Sequence, residues 1–164
     1  MRWIRAIGLF MAGTAFGIFA TQPTAAPQGK SVGLRLNHFG LYVKDWDRSL
    51  EFYTKTMGFR EAFSLKDKEN KPLLTYLQID HDTFLELAPA TAEHPVGVSH
   101  IGLWSNDLNQ TVTVLRERGV TMDNPITGGT KSILTNMIEP DGLRLELLEY
   151  PPVSLQRKAI DGWK

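Results

Sequence analysis

The sequence contains no cysteine, only 4 histidines, and no excess of either charge. Without cysteine there is no disulfide scaffold, no zinc finger, no iron–sulfur site and no thiol nucleophile. Any metal must be held by histidine and carboxylate. With 18 basic against 18 acidic side chains, the formal charge is zero and the pI near 6.9. That balance gives no support to a polyanion binder, so no nucleic-acid partner is expected. What is present suffices for a packed core: 164 residues, 42% hydrophobic and 22% charged. This length allows one domain, or two small modules sharing a core.

Residues 1–26 read as an export signal. Arg2 and Arg5 precede an uncharged apolar run, Leu9 to Ala20, and a small, polar stretch with Pro23. The run is short for a membrane span and follows the order of a signal peptide. Cleavage after Ala20, Ala25 or Ala26 fits only loosely, and an uncleaved membrane anchor is the alternative. No cysteine follows, so a lipoprotein anchor is excluded. Cleavage would remove two arginines and no acid, leaving 16 basic against 18 acidic side chains. A periplasmic or extracellular protein is expected, and the lack of cysteine suits that setting.

From Leu36 onward the chain repeats itself. Asn37-His38-Phe39-Gly40-Leu41 matches Ser99-His100-Ile101-Gly102-Leu103 at an offset of 62 residues. Leu85-Glu86-Leu87 matches Leu145-Glu146-Leu147 at an offset of 60. A long repeat present twice indicates a duplicated supersecondary unit rather than a solenoid. Each unit reads β-α-β-β-β. The first has an alternating strand over residues 36–43 and a helix from the Asp45 cap to Gly58. Strands at 59–65, 73–80 and 83–88 follow. The second has a strand at 98–104, a helix from Asp107 to Gly119, and strands near 120–122, 131–138 and 143–149.

Side chains alternate across a strand, which places the polar residues. Leu85, Leu87, Leu145 and Leu147 face the helices, as do Phe39, Leu41, Val43, Ile101 and Leu103. Glu86, Glu146, His38 and His100 then face away. One Glu in such a strand is ordinarily a solvated residue, and one His a hydrogen-bonded structural one. Here the pair recurs, at spacings of 48 and 46 residues, while the turns around it have diverged. If the two inner faces curl together, the four side chains converge. Two imidazoles and two carboxylates suit a first-row divalent ion with open positions for water or substrate.

These stretches resemble the vicinal oxygen chelate superfamily, the glyoxalase I, bleomycin-resistance and extradiol dioxygenase group. The resemblance runs from Leu36 to about Tyr150. His38-Phe39-Gly40-Leu41-Tyr42-Val43, Ser49 to Phe59, His100-Ile101-Gly102-Leu103 and Glu139-Pro140-Asp141-Gly142-Leu143-Arg144-Leu145-Glu146-Leu147 carry it. It implies an α+β fold in which two tandem β-α-β-β-β modules, 34–90 and 96–150, form a curved mixed sheet. Residues 151–164 are a tail that the sequence does not place. The ligand order looks like bacterial glyoxalase I. It implies one divalent metal on His38, Glu86, His100 and Glu146, with Ni2+ or Zn2+ favoured and Fe2+ or Mn2+ as alternatives. The implied reaction isomerises a hemithioacetal to a thioester through a metal-stabilised enediolate, with Glu146 as base.

The chain departs from glyoxalase I where that family grips glutathione. An Arg and an Asn are usual at the positions held here by Tyr42 and Ala90. A non-glutathione small molecule with adjacent oxygens, or only weak activity with glutathione, is therefore expected. A ferrous extradiol-type dioxygenase on His38, His100 and Glu146 is a second reading, opposed by the extra Glu86. A non-catalytic resistance-type binder is a third, opposed by the complete ligand set. Tyr42, Tyr76, Gln78, Trp104, Asn136 and Arg144 share the inner face and are candidate pocket residues. His81 and His94 read as ordinary loop residues. A homodimer is expected, because separate modules would expose a sheet edge.

Overall fold

The structure, a computed structural model, describes residues 31–164, so the expected export signal lies outside the described residues. Each module opens with a strand and a capped helix. β1 (Arg35–Val43) leads to α1 (Trp46–Glu51), and β5 (Gly97–Trp104) leads to α2 (Leu108–Glu117). The carboxylates of Asp45 and Asp107 accept from the backbone N–H of Arg48 and Gln110, satisfying donors that a helix start leaves unpaired. Gly58 and Gly119 follow the helices at φ of 76° and 88°, a left-handed conformation that favours glycine. The first helix does not stay α-helical to its end as the sequence suggested. It continues as a π-helical stretch over Phe52–Thr56. There the Thr54 hydroxyl donates to the Leu50 carbonyl, a side-chain bond that competes with the regular backbone ladder.

Three strands complete each module: β2 (Arg60–Lys66), β3 (Pro72–Asp80) and β4 (Thr83–Pro89), then β6 (Ile126–Thr127), β7 (Ile133–Ile138) and β8 (Arg144–Glu149). The strand expected near residues 120–122 does not form. Its backbone is used otherwise: Val120 N–H caps α2 at Leu115, and Arg116 donates to the Met122 carbonyl. The short β6 instead pairs through Ile126 and Thr127 with β7.

All eight strands form one curled mixed sheet, ordered β2-β3-β4-β1-β5-β8-β7-β6. β1 pairs parallel with β4 and β5 with β8, while β1 and β5 run antiparallel and join the modules at the centre. The helix side is apolar as alternation required. Leu77, Leu85 and Leu87 pack against Leu41, Val43, Leu50 and Tyr53, while Leu147 packs against Leu108, Val112 and Leu103.

The tail forms a third helix, α3 (Leu155–Asp161), capped by Ser154. It crosses the inner face. Leu155 N–H bonds the Thr130 carbonyl before β7, and Arg60 on the edge strand β2 reaches the carbonyls of Ala159 and Gly162. Ile160 is buried with Tyr76, Phe84, Trp104, Leu148 and Tyr150. Among the described residues, no helix is long and apolar enough to cross a membrane.

Candidate metal centre

His38 on β1, Glu86 on β4, His100 on β5 and Glu146 on β8 each offer one donor atom, and the four atoms lie within 4.8 Å of one another. The two imidazole Nε2 atoms are 2.8 Å apart. Glu146 Oε2 lies 3.4 Å from His38 Nε2 and 3.7 Å from His100 Nε2, and Glu86 Oε2 lies 3.9 Å from each. With metal–ligand bonds of about 2.0–2.2 Å, neighbouring octahedral corners are about 3 Å apart and opposite ones about 4 Å. The donor set fits a single first-row ion in spacing and in chemistry.

Glycine lets the rings reach this point. Across the central strand pair, His38 faces Gly102 and His100 faces Gly40. A Cβ on Gly102 would meet the His38 ring at 2.0 Å, and one on Gly40 the His100 ring at 2.2 Å. Each module's histidine lies over the other module's glycine. The His-x-Gly spacing, seen twice in the sequence, is therefore one interlocked arrangement.

Two residues that strict alternation assigned to the helix side also serve the site. The β1–β5 register skips Asn37 on one strand and Ser99 on the other. Such bulges turn the extra residue toward its neighbour's face. Asn37 Oδ1 then accepts from His38 Nδ1 at 3.1 Å, and Ser99 Oγ lies 2.8 Å from His100 Nδ1. Asn37 is fully buried, and its amide is oriented by donation to the Asp82 carbonyl and by the Tyr150 hydroxyl on Oδ1. Holding Nδ1–H in this way turns the lone pair of His38 Nε2 toward the cluster. The available signal was a polar residue directly before each repeated histidine.

Burial pushes the Glu86 carboxyl up from its ordinary range, against the lowering effects of His38 and the Tyr76 hydroxyl. Burial acts in the same direction on Glu146, but its contact with His38 and the electrostatic pull of the neighbouring His38, His100 and Arg144 groups outweigh it and leave that carboxyl low. His100 is pushed down to about 3 by burial and then by His38, so the ring is neutral at ordinary pH. The Tyr76 and Tyr150 phenols are raised well above their usual value, burial first.

The other candidate residues divide. Tyr76 lies beside Glu86 in the sheet, with its hydroxyl 3.4 Å from His38 Nε2. Asn136 lies beside Glu146 at the matching place in the second module. Arg144 donates to His100 Nδ1 at 2.7 Å and to Asn136 Oδ1 at 3.4 Å. The remaining three bond or pack elsewhere. Gln78 bonds Arg60 and the His81 carbonyl, drawn there by α3. Trp104 packs on Tyr150 beneath the guanidinium groups of Arg35 and Arg157. Tyr42 stacks on His94, with ring centres 4.9 Å apart.

A family model described as the Glyoxalase/Bleomycin resistance protein/Dioxygenase superfamily matches residues 35–147. The lactoylglutathione lyase of Escherichia coli O157:H7 is 29% identical over 126 residues, which cover 71% of this chain and 93% of that protein. A probable lactoylglutathione lyase of Vibrio cholerae is 30% identical, covering 70% and 90%. A probable chloroplastic lactoylglutathione lyase of Arabidopsis thaliana is 28% identical over 72% of this chain, which spans only 36% of that longer protein. Among solved structures, methylmalonyl-CoA epimerase of Streptomyces coelicolor superposes with a TM-score of 0.59 at 26% identity, over 73% of this chain and 98% of that one. The epimerase of Mycobacterium tuberculosis gives a TM-score of 0.61 at 20% identity, over 77% and 94%, a likeness of fold.

Proposed function

The chain belongs to the glyoxalase/bleomycin resistance protein/dioxygenase superfamily, and on that premise we propose that it is a metal-dependent lyase or isomerase of glyoxalase I type. Its substrate is a small molecule with two adjacent oxygens, other than the standard glutathione hemithioacetal. One observation carries the reading: two His and two Glu from two modules converge on one inner face. A divalent ion there, Ni2+ or Zn2+ by preference and Fe2+ or Mn2+ otherwise, supplies Lewis-acid stabilisation of charge developing on the substrate oxygens.

The remaining work falls to side chains. Glu146 takes a proton from one substrate carbon and returns it to the neighbouring carbon, so the step consumes no oxidant or reductant. Glu86 is the second carboxylate and keeps the Tyr76 phenol beside it. Tyr76 stays protonated and holds a donor at the edge of the site. Phe63 and Phe84 pack on Tyr76, and Ile160 joins the same cluster, so water is excluded from that side.

A paired assay on reconstituted protein tests the reaction class. One arm supplies 2-oxoaldehydes, with and without glutathione, and nickel or zinc. The other supplies catechols, oxygen and ferrous iron. Isomerisation that Glu86→Gln lowers by roughly ten-fold or more is the expected result, because the variant replaces one of the four candidate metal ligands with a neutral amide. Ring cleavage with iron and no isomerisation with any divalent ion would overturn it.

The protein is proposed to act outside the cytoplasm, on the strength of Arg2, Arg5 and the apolar run that follows. It is proposed to be a homodimer. The motive differs from the sequence argument, because β1 and β5 already pair within one chain. On the helix side of that junction Leu36, Phe39 and Val98 are exposed. Apolar side chains gathered on two paired strands favour a covering partner.

A further inference from the structure

The two halves of the site are related by the repeat, and they differ in charge beside the ligand glutamate. The residue two before the ligand is Phe84 in the first module and Arg144 in the second. Phe84 is fully buried beside Tyr76 and under α3, which closes that side with apolar groups. Arg144 and Asn136 are only half-buried, so the polar side is the accessible one.

Arg144 has two partners, His100 Nδ1 and Asn136 Oδ1, and neither is a carboxylate. A guanidinium only donates, so His100 Nδ1 must accept from it and the ring proton lies on Nε2. A metal needs that Nε2 lone pair. The proton must then sit on Nδ1, where Ser99 Oγ, 2.8 Å away, takes the hydrogen bond and Arg144 no longer can. Glu86 and Glu146, the acids on which Arg144 acts here, would be balanced by a divalent ion, leaving the displaced guanidinium available to another anion.

We propose that Arg144 and Asn136 form a carboxylate-binding subsite, so that the substrate carries a carboxylate next to its pair of adjacent oxygens. The subsite rests on the metal-enzyme reading given above. A guanidinium fork and one amide match the two oxygens of a monoanion. A single guanidinium matches a monoanion better than a phosphate dianion with three oxygens, which sets carboxylate ahead of phosphate.

Two hydroxamates that chelate through adjacent oxygens test this on the zinc-loaded protein: acetohydroxamate, and the monohydroxamate of succinic acid, which adds one carboxylate. Zinc content is measured first and affinity by calorimetry. Charge-assisted hydrogen bonds predict that wild type prefers the carboxylate-bearing probe by on the order of ten- to a hundred-fold. Arg144→Met should abolish the preference while retaining zinc, and Arg144→Lys should retain part of it. Zinc held with no preference in wild type, or a preference that survives in Arg144→Met, overturns the subsite alone. A wild-type protein that holds no zinc overturns the metal reading and the subsite together.

Discussion

At Gly102 a single methyl group would stand 2.0 Å from the His38 ring, in a strand with no other need for glycine. Gly102→Ala is expected to turn His38 out of the cluster and lower zinc affinity by at least ten-fold, measured by competition with a chromogenic chelator. Circular dichroism would show the sheet retained. Asn37→Ala removes the acceptor from His38 Nδ1 and strands the Asp82 carbonyl. It should weaken zinc binding by roughly ten- to a hundred-fold, as losses of ligand-orienting partners do. His100 titrates near 6.5 in the unfolded chain but near 3 when folded. The unfolded state therefore gains a proton first as pH falls. Stability from this group is full above about pH 6.5 and declines from there toward pH 3. Urea titrations of metal-free protein across that range should show the decline, and His100→Gln should flatten its part of the slope.

The elements were legible where period and punctuation agreed. Alternating strands, Asp caps and Gly stops marked both β-α openings, and the Leu-Glu-Leu strands oriented both acids. The bulges at Asn37 and Ser99 were not legible, because a strand pattern carries no mark of one extra residue. Residues 120–122 looked like a strand, but side chains and the helix cap took their backbone groups. The neighbours of Gln78 and Trp104 depended on α3, a tail segment that the sequence did not place. That helix is tied by Ile160, which is 4% exposed. Ile160→Ala should lower the stability of the whole protein by about 2–5 kcal/mol in chemical denaturation. An unchanged midpoint would mean that α3 is not anchored where it lies.

In the whole molecule, the antiparallel β1–β5 pair does two jobs. It joins the modules into one sheet and brings both histidines, with the acids on β4 and β8, to one point within a single chain. The outer face of the same pair carries Leu36, Phe39 and Val98, so association is expected to leave the centre complete in each subunit. Sedimentation should give twice the chain mass, and Phe39→Asp should yield a monomer that still holds zinc. The most direct measurement is metal stoichiometry. Protein loaded with nickel or zinc, freed of excess by gel filtration, is analysed for metal alongside His100→Ala and Glu146→Gln. One ion per wild-type chain and a marked loss in both variants is the expected result. Equal metal in all three proteins, whether one ion or none, would contradict a centre built on His38, Glu86, His100 and Glu146.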